Sequence, residues 1–243
     1  MERFQATLEA TFARMKPYNF TPEEQMSRRE KERAEQTLKF EQALDYVVRT
    51  QFGPYYARVH TREDTTMIES VEDHIQEVYE QGIGCYYSCS KAGGKTHVLL
   101  ETFRKLATLE WNDLVLTRCY PNAYDFIEKT CHYVTVKELC DILSHKERPR
   151  IARYNFIDGL GFEDLSYVLG NIECYFEEIN RKGQAMVIAS KLDREMLSKK
   201  TGYNGILSIT YEGCKFYRLP EVDRRITREV APNLMWRSNH ERI

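Results

Sequence analysis

The hydrophobic positions of this chain follow two rhythms. Short, nearly unbroken apolar and aromatic runs occur at 84–88 (GCYYS), 113–119 (DLVLTRC), 131–136 (CHYVTV), 152–158 (ARYNFID), 185–190 (AMVIAS), 206–211 (ILSITY) and 215–218 (KFYR). Runs of this length between polar or turn-forming residues are expected as strands. Elsewhere apolar residues recur three and four positions apart, the spacing of a helix face. Phe4, Leu8, Phe12 and Met15 mark a short helix over 2–16, closed by Pro17. Thr21-Pro22-Glu23-Glu24 then opens a long helix reaching about Thr50, with Thr21 as N-cap and acids in the first turn. Ile68, Val71, Ile75 and Val78 predict a helix over 68–81. Val98, Leu99, Phe103 and Leu106 predict one after Thr96, ending near Leu106. Leu165, Val168, Leu169, Ile172, Phe176 and Ile179 predict another over 163–180. Shorter helical pieces fit 123–129, 137–143 and 192–197.

Strands alternating with helices predict an α/β protein with a mostly parallel sheet flanked by helices. Residues 1–50 form a helical appendage ahead of it, and 51–66, with Gly53-Pro54 and aromatics in no clear period, a linker. The core is expected over 67–220. The stretch 221–243, with Arg224, Arg225, Arg228, Arg237 and Arg242 and few apolar anchors, is expected to be a basic, partly disordered tail.

Composition narrows the class. The 243 residues, 42% hydrophobic and 30% charged, suit a soluble protein with one large domain and an appendage. A net charge of −2 excludes a general polyanion binder. DNA contact would need local patches such as Arg118, Tyr120 and Lys129, or Lys146, Arg148 and Arg150, which read equally as solubilising surface. No stretch approaches the roughly 18 apolar residues of a membrane span. The N-terminal MERFQATLEA lacks the apolar core of a signal peptide, so a cytoplasmic location is expected. Cysteines at 85, 89, 119, 131, 140, 174 and 214 contain no C-x-x-C pair, and are expected as reduced, mostly buried thiols. The charged first half of the long helix (EEQMSRREKERAEQ) is either a solvated face laced by i,i+4 pairs or an arm for a partner.

One stretch carries chemistry. Residues 85–100 read CYYSCSKAGGKTHVLL: a strand, a loop of small residues closing on Gly93-Gly94-Lys95-Thr96, then a helix. That is the order of a phosphate-binding loop. Glycines let backbone N–H groups turn inward around phosphate oxygens, and the helix points its positive end at the same anion. Lys95 would reach the β- and γ-phosphates of ATP, and the Thr96 hydroxyl would ligate Mg²⁺. Cys89 stands where the pattern G-x-x-x-x-G-K-[ST] begins with glycine. Glycines and a threonine are also common at any helix start. Downstream, the hydrophobic run ending at Asp158 is where a second Mg²⁺-supporting group belongs, although an aspartate after a strand is also an ordinary turn former.

Taken in order, SKAGGKTHVL, NFIDGLG, VIAS and EGCKFYR resemble the DnaC/DnaI/IstB group of AAA+ ATPases, the replicative-helicase loaders and transposition helpers. The resemblance covers roughly 52–218. It implies a P-loop NTPase fold, with Gly93, Gly94, Lys95, Thr96 and His97 at the nucleotide, Thr96 and Asp158 at Mg²⁺, and Ser190 at the sensor position that contacts the γ-phosphate. It implies an ATP-binding protein that engages a replicative DNA helicase through residues 1–50, oligomerises, and places the helicase on single-stranded DNA. The chain departs from the group where Gly159 occupies the position of the catalytic glutamate. Slow or DNA-stimulated turnover is then expected, with Glu163 or Asp164 as substitutes. The arginine-bearing sensor helix is abbreviated between Lys199 and Tyr211, leaving Arg194, Arg218, Arg224 and Arg225 as candidate arginines. Two alternatives stand beside the loader: a non-hydrolysing adaptor with a degenerate site, and a transposition helper.

Overall fold

The computed structural model describes residues 21–54, 65–90, 94–117, 121–161 and 168–219, with backbone alone over 65–71. The expectations for 2–16, for most of the linker and for the basic tail lie outside these residues. Helix α1 (Pro22–Gln51) begins as its sequence predicts. The Thr21 backbone N–H donates to the Glu24 carboxylate at 2.9 Å, and the Glu24 N–H donates to Thr21 Oγ1 at 3.2 Å. This reciprocal cap satisfies donors that the first helical turn leaves unpaired. The chain divides within α1 into two units, Met1–Glu41 and Gln42–Ile243. In the first, the described residues are mostly exposed and carry an i,i+4 pair, Glu35–Lys39, at 2.8 Å. In the second, Ala43, Leu44, Val47 and Val48 are buried.

The second unit is built on five strands, β1 (Gly84–Ser88), β2 (Cys131–Thr135), β3 (Tyr154–Leu160), β4 (Ala185–Ser190) and β5 (Cys214–Arg218), in the order β2-β3-β4-β1-β5. Every pairing is parallel. Parallel strands need crossovers, here supplied by helices. Ahead of β1 lies α2 (Thr65–Gln81), and the crossover helices are α3 (Lys95–Leu116), α4 (Ala123–Thr130), α5 (Val136–Ser144), α6 (Leu169–Arg181), α7 (Arg194–Lys199) and α8 (Asn204–Gly213). The α/β class expected from the sequence is thus what the chain forms, with α1 ahead of it.

The central strands are apolar throughout because both sheet faces are covered. Alternate residues Tyr86, Val134, Ile157, Met186 and Ile188 join Leu139, Ile172, Phe176, Leu197 and Ile206 of α5–α8 in one core. The intervening residues face α3, where Phe103 packs on Phe156 with ring centroids 5.1 Å apart. Buried Asn155 ties β3 to β4 at its start: Nδ2 donates to the carbonyls of Ala152 (2.8 Å) and Ala185 (3.2 Å), and Oδ1 accepts from the Ala152 N–H (2.9 Å).

Two expected strands are helical. Residues 113–116 of DLVLTRC continue α3, which runs ten residues past Leu106 to Leu116. No glycine or proline interrupts ATLEWND, and Ala107, Trp111 and Val115 fall on one buried stripe at i, i+4, i+8. The run ILSITY lies in α8, where Ile206, Ile209 and Thr210 are buried at helical spacing. The Thr210 hydroxyl donates to the Ile206 carbonyl at 2.8 Å, one turn back. Tertiary burial overrides β-branched propensity here. Strand β3 extends two residues past Asp158, to Leu160, with a register irregularity between the two.

Candidate nucleotide-binding site

The carboxyl ends of β1, β4 and β3 lie side by side: Ser88 pairs with Ser190, and Asp158 with Ala189. Ligands of open α/β sheets bind at this edge. The chain leaves β1 through Cys89 and Ser90 and re-enters at Gly94, which precedes α3 in a left-handed conformation (φ 79°, ψ 22°) that glycine adopts without steric cost. Residues 91–93 of the loop, Gly93 included, lie outside the described residues.

Lys95 begins α3 and is buried. Its ammonium group donates to the carbonyl of Cys89 at 2.7 Å. The loop's first and penultimate motif positions are therefore joined through the side chain that the motif requires. Thr96 projects to β3, where its hydroxyl donates to Asp158 Oδ2 at 2.6 Å. A second donor reaches the same oxygen: the hydroxyl of Tyr133, on β2, at 3.2 Å. Burial raises the Asp158 carboxyl above its ordinary value, against the two hydroxyl bonds and the nearby Lys95 charge, which pull it down.

The donor set suits Mg²⁺. Thr96 and Asp158 offer hard oxygen ligands side by side, and Mg²⁺ is commonly held by one or two such groups plus phosphates and water. Among the described residues no cluster of three or more His, Cys, Asp or Glu side chains gathers to hold a metal by itself.

The other expected site residues are placed as follows. His97 lies half-buried in the first turn of α3. Ser190 is fully buried at the end of β4; its hydroxyl donates to the Leu160 carbonyl at 2.8 Å and accepts from the Leu192 N–H at 2.9 Å. Its one proton is thereby engaged with backbone. Glu163 and Asp164 lie outside the described residues, as do Arg224 and Arg225. Arg194 sits over the Tyr211 ring, 4.1 Å from its centroid, and also bonds its hydroxyl. Arg218 ends β5 beside Ser88 and, with Lys191 and Asp193, lines a cavity of about 50 Å³ next to Cys89 and Ser90. Lys191 and Tyr133 were not singled out by the sequence.

The fold is of the P-loop NTPase type. Gly94 opens α3 after β1, and β4, the middle strand of the five, separates β1 from the strand bearing the aspartate. No protein-family model and no curated protein matches the sequence. Among solved structures, the chain is similar to DnaI, at 14% identity over 67% of this chain and 86% of that one, with a TM-score of 0.46. Domain III of the Thermotoga maritima replication initiation protein DnaA matches at 17% identity, 72% and 71% coverage and a TM-score of 0.43. AMPPCP-bound DnaA from Aquifex aeolicus matches at 13%, 69% and 52%, with a TM-score of 0.45. All three likenesses are distant.

A cavity of about 660 Å³ lies at the opposite edge of the sheet, near the starts of β3 and β4. Its Arg153 and Lys182 are paired with Glu110 and Glu178, each at 2.8 Å. None of the described cysteines forms a disulfide, and all but Cys174 are buried. No helix among the described residues is long and apolar enough to cross a membrane.

Proposed function

We propose that this chain binds ATP with Mg²⁺ at the carboxyl edge of its sheet and uses the bound nucleotide as a switch. The observation that carries this reading is the convergence of Lys95, Thr96 and Asp158 at the end of β1: an ammonium on the Cys89 carbonyl, and a hydroxyl on a carboxylate from the next strand but one. Lys95 would exchange the Cys89 carbonyl for the β- and γ-phosphate oxygens, a stronger charge-assisted contact. Thr96 and Asp158 would hold Mg²⁺, which neutralises phosphate charge when bound. Tyr133 would keep the Asp158 carboxylate facing Thr96.

Hydrolysis is expected to be slow. Gly159 follows Asp158 and carries no carboxylate to orient the attacking water. Ser190 serves the backbone between β3 and the segment after β4, so a contact to the γ-phosphate would need its hydroxyl to rotate. Lys191 and Arg218, beside the loop, are candidate counter-charges for phosphate.

The finer reading is a loader of a replicative DNA helicase, with weak binding to single-stranded DNA and assembly of several copies. The motif series shared with the DnaC/DnaI/IstB group supports it, as does the charged stretch of α1 ahead of the core. A non-hydrolysing adaptor is the second reading, favoured by Gly159. The test is co-sedimentation of the full chain with a replicative DNA helicase from the same cell, with and without ATP. Because residues from Gln42 onward belong to the core unit, the matching truncation removes 1–41 rather than 1–50. The loader reading expects an ATP-dependent complex that the truncation abolishes. A complex indifferent to ATP and to Lys95→Ala favours the adaptor, and no complex at all contradicts both.

A further inference from the structure

The Asp158–Tyr133 bond connects the site to a distant part of the unit. Tyr133 does not stand alone on β2. The ring of Phe52 lies against its ring, centroids 3.9 Å apart and planes inclined by 31°. Phe52 is buried, and its ring also packs at a near right angle to that of Phe103 of α3, centroids 5.4 Å apart. Its N–H donates to the Val48 carbonyl at 2.9 Å, so it extends the last turn of α1. That end of α1 is anchored on the helix that begins with Lys95 and Thr96: Asp45 pairs with Arg104 of α3 at 2.8 Å. Tyr46 packs edge-on against Tyr124 of α4, with centroids 5.6 Å apart. A chain of packed side chains thus runs from the end of α1 through Phe52 and Tyr133 to Asp158 and Thr96.

We infer that Tyr133 is a positioning residue for the Mg²⁺-bearing carboxylate, and that Phe52 couples this carboxylate to the seating of the end of α1. The inference rests on the nucleotide reading above and adds to it the route by which bound nucleotide is sensed. Tyr133 fixes which oxygen of Asp158 faces Thr96. Phe52 fixes the ring that carries the Tyr133 hydroxyl. Coupling between two sites is reciprocal in free energy, so Mg²⁺-nucleotide at the loop tightens residues 42–52 as much as their docking tightens Mg²⁺.

Tyr133→Phe keeps the ring against Phe52 and removes only the hydroxyl. Mg²⁺ is titrated into the full chain holding a fluorescent non-hydrolysable ATP analogue, and analogue binding is measured separately without Mg²⁺. Loss of an outer-shell partner of a metal ligand is expected to weaken Mg²⁺ about ten-fold. Mg²⁺-free analogue binding and the melting temperature stay close to wild type. Phe52→Leu, chosen over Phe52→Ala to keep the core filled, weakens Mg²⁺ by a smaller factor. The double variant is no worse than Tyr133→Phe alone, because Phe52 acts through the lost hydroxyl. Amide hydrogen exchange over 42–52 slows on adding Mg²⁺-analogue to wild type and does not slow in Tyr133→Phe. Unchanged Mg²⁺ affinity in Tyr133→Phe, or multiplied effects in the double variant, overturns the inference while leaving the nucleotide reading intact. Wild type that binds no analogue overturns both.

Discussion

Gly161, one residue past β3, has φ 88°, and a Cβ built on it would lie 2.5 Å from Leu192 Cγ and 2.6 Å from Leu192 Cδ1. Gly161→Ala therefore meets two separate costs. A left-handed backbone costs a non-glycine residue about 1–2 kcal/mol. Forcing a packed side chain aside costs about 1–3 kcal/mol more. Leu192 cannot easily step back, because its backbone is held at both ends. Its carbonyl accepts from the Tyr86 hydroxyl at 3.0 Å and its N–H donates to Ser190 Oγ at 2.9 Å. The expected destabilisation is about 2–5 kcal/mol, which for a chain of this size lowers the melting temperature by roughly 5–15 °C. Urea unfolding of wild type, Gly161→Ala, Leu192→Ala and the double variant separates the parts. In the Leu192→Ala background the clash is gone, so adding Gly161→Ala should cost only the backbone part, about 1–2 kcal/mol. Gly161→Ala within about 0.5 kcal/mol of wild type, or strict additivity with Leu192→Ala, would refute the reasoning.

Two further predictions concern stability. His132, on β2, has its pKa lowered from 6.5 to about 4, mainly by burial and then by the Arg150 charge, against the pull of Glu138. The unfolded chain binds this proton more readily, so stability is complete above pH 6.5 and falls as pH drops towards 4. At about 1.4 kcal/mol per pH unit the loss is on the order of 3 kcal/mol. His132→Asn should flatten that part of the pH profile of unfolding, and an unchanged profile contradicts the assignment. Thr135 caps α5 by accepting from the Glu138 N–H at 3.2 Å, while its own N–H donates to the Glu138 carboxylate at 2.9 Å. Thr135→Ala should cost about 1 kcal/mol in urea unfolding and Thr135→Ser much less, whereas equal losses would place the effect outside the cap.

The fold was legible where local chemistry and burial agree. Strands β1 and β4 stand where the apolar runs put them, and α1 begins at the Thr21-Pro22-Glu23-Glu24 signal. The two misread runs, LVL and ILSITY, are short and apolar, and periodicity alone does not separate a buried strand from a buried helix stripe. What decides them is continuity: α3 meets no breaker before Leu116, and α8 packs on α6. The loop residues were legible because Gly94, Lys95 and Thr96 are contiguous. Tyr133 was not, because its contact with Asp158 depends on the β2–β3 register, in which Val134 pairs with Ile157 and Thr135 with Asp158. The Lys95 bond to Cys89 is made to a backbone carbonyl, which no side-chain pattern announces.

On the function proposed above, the Gly94-Lys95-Thr96 loop holds a nucleotide. The most direct test is equilibrium binding of ATP, with Mg²⁺, to the full wild-type chain and to Lys95→Ala, with circular dichroism to establish that both are folded. Hydrogen bonds to charged groups are worth about 1.5–3 kcal/mol, so saturable wild-type binding should weaken by roughly 10–100-fold in the variant. Wild type that does not bind, or two folded proteins that bind equally, would contradict the account.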